Sequence, residues 1–167
     1  SIKPPELNLP TITSDNKTLG IVGAEYLMEH GFHNFAYYGF NNTIWSQGRC
    51  DGFCQRLSRD GIEVQVYQRP QAIDDQKWDE EQKRVEDWLK QLKKPIGIMA
   101  SHDFRGRQLI EICRKSDICV PSQIAVLGID NDLFICDLCL PPLSSIDVNF
   151  EHAGYQAAEL LDKLMAG

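Results

Sequence analysis

Three short polar groups in this sequence each follow an apolar run. Asp130 and Asn131 follow "IAVLGI", His102 and Asp103 follow "IGIMAS", and Asn41 and Asn42 follow "FAYYGF". Continuous apolar runs of this kind, in contrast to strict alternation, mark strands buried on both faces. In an open parallel sheet the carboxyl ends of the strands share one edge, and ligands gather there. A rim of Asn, Asp and His presents hydrogen-bond donors and acceptors together, which suits a ligand rich in hydroxyl groups. It does not suit a phosphate, because no glycine-rich loop opens a helix beside these runs.

Catalysis finds less support in the same residues. His102 and Asp103 are neighbours at one strand end, so their side chains point in different directions and form no obvious dyad. No nucleophile and base stand at a plausible spacing for covalent chemistry. A binding module is therefore expected and not an enzyme. Two alternatives share the topology: an enzyme using His102 with Asp103 or a cysteine, and a phospho-receiver domain, which needs acids where "FAYYGFNN" carries amides. Cys136 and Cys139 in "CDLC" have the spacing of a redox pair or half a zinc site. A second ligand pair is missing, since Cys50 and Cys54 are separated by three residues on another helix. Reduced cysteines that serve as small apolar residues are expected, with no metal and no cofactor.

The elements that must position these residues alternate along the chain. Residues 15–30 place Leu19, Val22, Gly23, Tyr26 and Leu27 at helical spacing, with Ser14 or Asp15 as cap and Gly31 as the stop. A strand over 34–40, a helix over 46–60 and a strand over 62–67 follow. A helix over 78–93 carries Trp78, Val85, Trp88, Leu89 and Leu92 on one face. Then come a strand over 96–101, a helix to about residue 116, a strand over 124–130, a short helix near 132–138 and a strand over 143–147. The last helix, 150–166, has a stripe of Ala153, Ala157, Leu160, Leu161 and Leu164. Such alternation predicts an α/β fold, a doubly wound parallel sheet with helices on both faces.

Composition narrows the partners. The 167 residues are 43% hydrophobic and 25% charged, as expected of a globular chain with one core. A net charge of −7 speaks against this chain gripping nucleic acid or an anionic membrane itself. No apolar run approaches the ~20 residues that span a bilayer. Residues 1–13 carry no apolar signal region, so a cytoplasmic location is the expectation.

The motifs also carry a resemblance. "TSDN" before a helix ending "EYLMEHG", then "FAYYGF", "GRCDGFCQRL", "GIMASHDFRGRQLIEICR", "ICVPSQIAVLGIDND" and "PPLSSIDVNFEHAGYQAAELL" occur in the order found in one family. From about Leu9 to Gly167 the chain resembles the sugar-receptor core of the LacI/GalR regulators and periplasmic sugar-binding proteins. "WSQGRCDGF", "WDEEQKRVEDWL" and "GYQAAELLDKLM" look most similar to the xylose-operon regulators, whose receptor core is followed by an AraC-type DNA-binding region.

The resemblance implies two lobes closing on a sugar, most simply a pentose such as D-xylose. It implies that residues 1–14 form a hinge crossing, 15–145 the C-terminal lobe, and 146–167 a return strand and helix of the N-terminal lobe. The remainder of the receptor and the DNA-binding region would lie outside this chain, in a homodimeric regulator that needs no membrane. Arg49 matches an arginine that bridges sugar hydroxyls, and Asp130 a carboxylate that accepts from two of them. Trp78 matches an aromatic that packs on the sugar ring. His102 stands where many members carry Asn, Asn131 lies on the same rim, and Asp103 matches an acid that more often caps the next helix. With its own lobe missing, the 150–166 stripe is expected to fold back on the sheet or dock on a second copy.

Overall fold

Asp15 opens the first helix: its carboxylate accepts the backbone N–H of Thr18 at 3.0 Å, satisfying a donor that the first turn leaves free. This helix, α1 (Asn16–Glu29), is followed by Gly31, whose φ of +81° is the left-handed conformation glycine adopts without penalty. The computed structural model describes residues 10–69 and 78–166. Beyond α1 it contains β1 (Phe35–Phe40), α2 (Ile44–Ser58), β2 (Val64–Arg69), α3 (Trp78–Gln91), β3 (Ile96–Ala100) and α4 (Asp103–Lys115). β4 (Ile124–Ile129), α5 (Leu133–Leu138), β5 (Ser144–Ile146) and α6 (Phe150–Ala166) complete it.

The five strands pair in the order β2-β1-β3-β4-β5, every pair parallel. The α/β doubly wound sheet expected from the alternation is the fold found. Several boundaries differ from the sequence reading by one or two residues, among them α2, expected over 46–60 and found over Ile44–Ser58, and β2. β2 starts at Val64, because the Ile62 amide donates to the Leu57 carbonyl (3.1 Å) in the turn that closes α2.

Side chains leave each strand to opposite faces, and both faces are apolar. Ala36, Tyr38, Ile98 and Ala100 join Val85, Leu89, Leu109 and Ile110 in one layer. Phe35, Tyr37, Met99, Leu127 and Ile129 join Ala24, Leu27, Phe53 and Leu57 in the other. Each large apolar side chain buried this way contributes roughly 1.5–3 kcal/mol.

α1 and α2 touch backbone to backbone. A Cβ on Gly20 would stand 2.1 Å from the Arg49 carbonyl oxygen, and one on Gly52 would stand 2.0 Å from that of Lys17. This contact rotates α1 away from the face its pattern suggested. Gly20, Gly23, Ala24 and Leu27 are buried, whereas Val22 and Tyr26 are exposed. The helix serves two partners, α2 and the sheet, so a single apolar stripe does not describe it.

α6 also departs from expectation. No residue of it is buried, and Tyr155, Leu161, Leu164 and Met165 are exposed. The stripe does not fold back on the sheet.

Candidate functional site

Strand order reverses between β1 and β3, since the chain runs from β1 outward to β2 and then crosses back to β3. In doubly wound sheets the crevice beyond the carboxyl ends at this reversal is where ligands bind. Three helices start there. α2 follows β1, α4 follows β3, and the loop into α5 follows β4.

Arg49 lies on the second turn of α2 and is only 6% exposed. Its Nε donates to Asn16 Oδ1 at 3.0 Å, its Nη1 to the Ser101 carbonyl, and its Nη2 to Asp130 Oδ1 at 3.2 Å. The guanidinium thus ties α1, β3 and β4 together. The Trp45 ring centroid lies 5.2 Å from its central carbon, a cation–π contact between residues one helical turn apart.

Asp130 holds the other end of this bond and remains partly exposed. Its φ of +113° and the +54° of Asn131 are unusual for residues with a Cβ. Backbone strain of this kind persists where surroundings over-determine it, commonly at binding sites. Here the surroundings are visible. The Asn131 amide donates to Ser145 Oγ at 3.0 Å, and the Asp130 amide to the Ile146 carbonyl at 3.0 Å. Burial raises the Asp130 pKa above the ordinary carboxylate value, outweighing the pull of Arg49 in the other direction.

Asp103 is spent on the same loop. Its Oδ1 accepts the Ser145 hydroxyl at 2.6 Å and its Oδ2 the Asp132 amide at 2.8 Å, with the side chain 1% exposed. Its pKa is raised, chiefly by burial, despite those two hydrogen bonds. It holds the segment that aims Asp130. Asp132 in turn caps α5 by accepting the Ile135 amide at 3.2 Å.

His102 caps α4, its Nδ1 accepting the Arg105 amide at 3.3 Å. The imidazole sits among the rings of Phe40 and Trp45, each 5.5 Å away, and Phe104 at 6.2 Å. Burial, then the charges of Arg105, Arg49 and Arg69, pull its pKa down to about 4. His102 and Asp103 diverge, one toward the Arg105 amide and the other toward β5, so no acid–base dyad forms.

Two shallow pockets meet at this edge. Ser14, Asn16, Trp45, Arg49 and Phe150 line one, and Asp103, Asp130, Asn131 and Phe150 line the other. Of the residues singled out in the sequence, Arg49, Asp130, Asn131, His102 and Asp103 converge here. Trp78 opens α3, but its side chain lies outside the described residues. Asn41 reaches the edge as well: its amide donates to the Arg69 carbonyl at 2.8 Å, and its buried Oδ1 has no partner among the described residues. Trp45 was not anticipated. Its signal was the i,i+4 spacing to Arg49 on a helix leaving the switch point.

The sequence profile of the periplasmic binding protein-like domain matches residues 24–167. The chain belongs to that family. Within it, the xylose operon regulatory protein of Haemophilus influenzae is 38% identical over 163 residues, covering 96% of this chain and 42% of that protein. The xylose operon regulatory protein of Escherichia coli K12 is 33% identical, covering 92% of this chain and 40% of that protein. A solved structure of the xylose-binding transcription activator xylR superposes with a TM-score of 0.75 at 30% identity, covering 99% of this chain and 45% of that one. The resemblance to LacI/GalR-type and xylose-operon regulators drawn from the motifs is borne out. The chain spans about two fifths of the length of these curated relatives.

Proposed function

We propose that this chain is the effector-binding lobe of a sugar-responsive transcription regulator, with a pentose, D-xylose first, as effector. The observation that carries the reading is the Arg49–Asp130 pair at the switch point. It offers a planar fork of donors beside a carboxylate with free acceptor positions, a match for adjacent hydroxyl groups. Kinship with xylose operon regulators supports the pentose. In this reading Arg49, Asp130, His102 and Asn131 contact the sugar, and Trp78 packs on its ring. Asp103 serves by holding the Asp130 loop.

In this reading the described residues from 15 to 145 form one wall of the cleft and 146–166 return to a first lobe, while the hinge expected over 1–14 falls largely on residues 1–9, outside the described residues. The absence of any buried residue along α6 among the described residues fits a helix whose partner is that lobe. Sugar shifts the receptor toward its closed state by binding that state more tightly. DNA is read by a separate region of a cytoplasmic homodimer.

A thermal-shift panel on the full-length protein tests this. D-xylose, L-arabinose, D-ribose, D-glucose and D-galactose are compared, because a ligand that binds only the folded state raises Tm with concentration. A shift with one pentose is expected. No shift with any sugar would overturn the reading.

A further inference from the structure

Cys50 and Cys54 face each other across one turn of α2, with their Sγ atoms 4.0 Å apart. Cys50 is buried, and Cys54 is half-buried against the same apolar layer. The thiols of the other close pair are committed elsewhere. Cys139 donates to the Ile135 carbonyl at 3.2 Å, and Cys136 to the Asp103 carboxylate.

A disulfide does not suit the Cys50–Cys54 spacing. Residues i and i+4 on a helix keep their Cβ atoms about 5–6 Å apart. A disulfide needs about 3.5–4.5 Å, so forming one would unwind the turn that follows Arg49. A metal ion between the sulfurs asks for less. Thiolate–metal bonds run to about 2.3 Å, so a bridging ion holds two sulfurs up to about 4.6 Å apart when the three atoms are in line. The observed 4.0 Å lies within that reach, and the helix can stay intact.

The ligand set selects the ion. Structural zinc takes four ligands, and no group of three or more His, Cys, Asp or Glu side chains stands together among the described residues. A soft d10 ion satisfied by few thiolates remains, the class of Cu(I). The thiols are also graded for capture. A Cys50 S–H donating to Cys54 holds the Cys54 thiol below its ordinary pKa, while that bond and burial raise Cys50. The sulfur nearer solvent is thus the first to become a thiolate.

We infer that Cys50 and Cys54 form a two-thiolate site on α2 for a soft monovalent d10 cation, with Cu(I) as the ion of that class. Binding forms two metal–sulfur bonds and releases both thiol protons to solvent, with no change of oxidation state. The resulting complex carries one net negative charge. The pair then departs from the purely apolar role expected of the cysteines. The inference does not depend on which effector the crevice takes.

The test is Cu(I) uptake by the reduced full-length protein, without oxygen, in competition with bathocuproine disulfonate. Wild type is expected to retain one equivalent more than Cys54→Ser. A second variant combines Cys54→Ser with Gln55→Cys at an exposed position. It keeps the number of thiols and moves one about 100° around the helix. It is expected to lose the same equivalent, and retention in either variant overturns the proposal. Should neither variant fold, the wild type still decides. Cu(I) should block alkylation of Cys54 by iodoacetamide, read by peptide mass spectrometry. An alkylation rate unchanged by Cu(I) would reject the site, and equal protection by Zn(II) would reject the soft monovalent ion.

Discussion

Asp103 and Asp130 share a sheet edge and have opposite fates. Asp103 is enclosed with both oxygens bonded, while Asp130 keeps acceptor positions open beside Arg49. Asp103→Ala leaves the Asp132 amide and the Ser145 hydroxyl without their partner. The expected loss is about 1–3 kcal/mol of stability by chemical denaturation, with weaker effector binding through the displaced loop. A pH effect belongs to His102. The unfolded imidazole takes a proton near 6.5 and the folded one only near 4, so the unfolded state binds more protons between these values. Stability contributed by the neutral ring is therefore complete above 6.5 and lost as pH falls toward 4. Urea unfolding at a series of pH values should show wild type losing up to about 1.4 kcal/mol per unit relative to His102→Gln. Parallel curves would contradict that. The residue types at the rim were legible because each follows an apolar strand. Their division of labour was not, since only the fold reveals that Ser145 stands against Asp103.

Among the elements, α1 and α2 form the tightest contact, and Arg49 and Asn16 stand on its two sides. Gly52→Ala would place a Cβ 2.0 Å from the Lys17 carbonyl oxygen, which forces the helices apart. A cost of about 1–3 kcal/mol in thermal or denaturant unfolding is expected, with lowered effector affinity as Arg49 moves. Unchanged stability and affinity would show that the contact has slack. Helix and strand positions were readable from apolar periodicity and from stops such as Gly31. The buried face of α1 was not, because glycines that admit a neighbouring backbone carry no hydrophobic signal. Trp45 was passed over for a related reason: an aromatic in the first turn of a helix reads as core, and here it flanks Arg49 instead.

At the scale of the whole molecule, alternation predicted a parallel doubly wound sheet, but not the order β2-β1-β3-β4-β5. Right-handed crossovers fix the hand of each βα unit, not the side on which the next strand is added. That order is what brings β1, β3 and β4 together beneath one crevice. Along α6, Tyr155, Leu161, Leu164 and Met165 are exposed, so the chain expressed by itself is expected to self-associate. Sedimentation velocity over a concentration series should show it, and a concentration-independent monomer would contradict it. The most direct test is isothermal titration of D-xylose into full-length wild type and Asp130→Asn at neutral pH. Losing a charge-assisted hydrogen bond of about 1.5–3 kcal/mol should weaken binding roughly tenfold to a hundredfold. Equal affinity in the two proteins would mean that the carboxylate beyond β4 does not face the sugar.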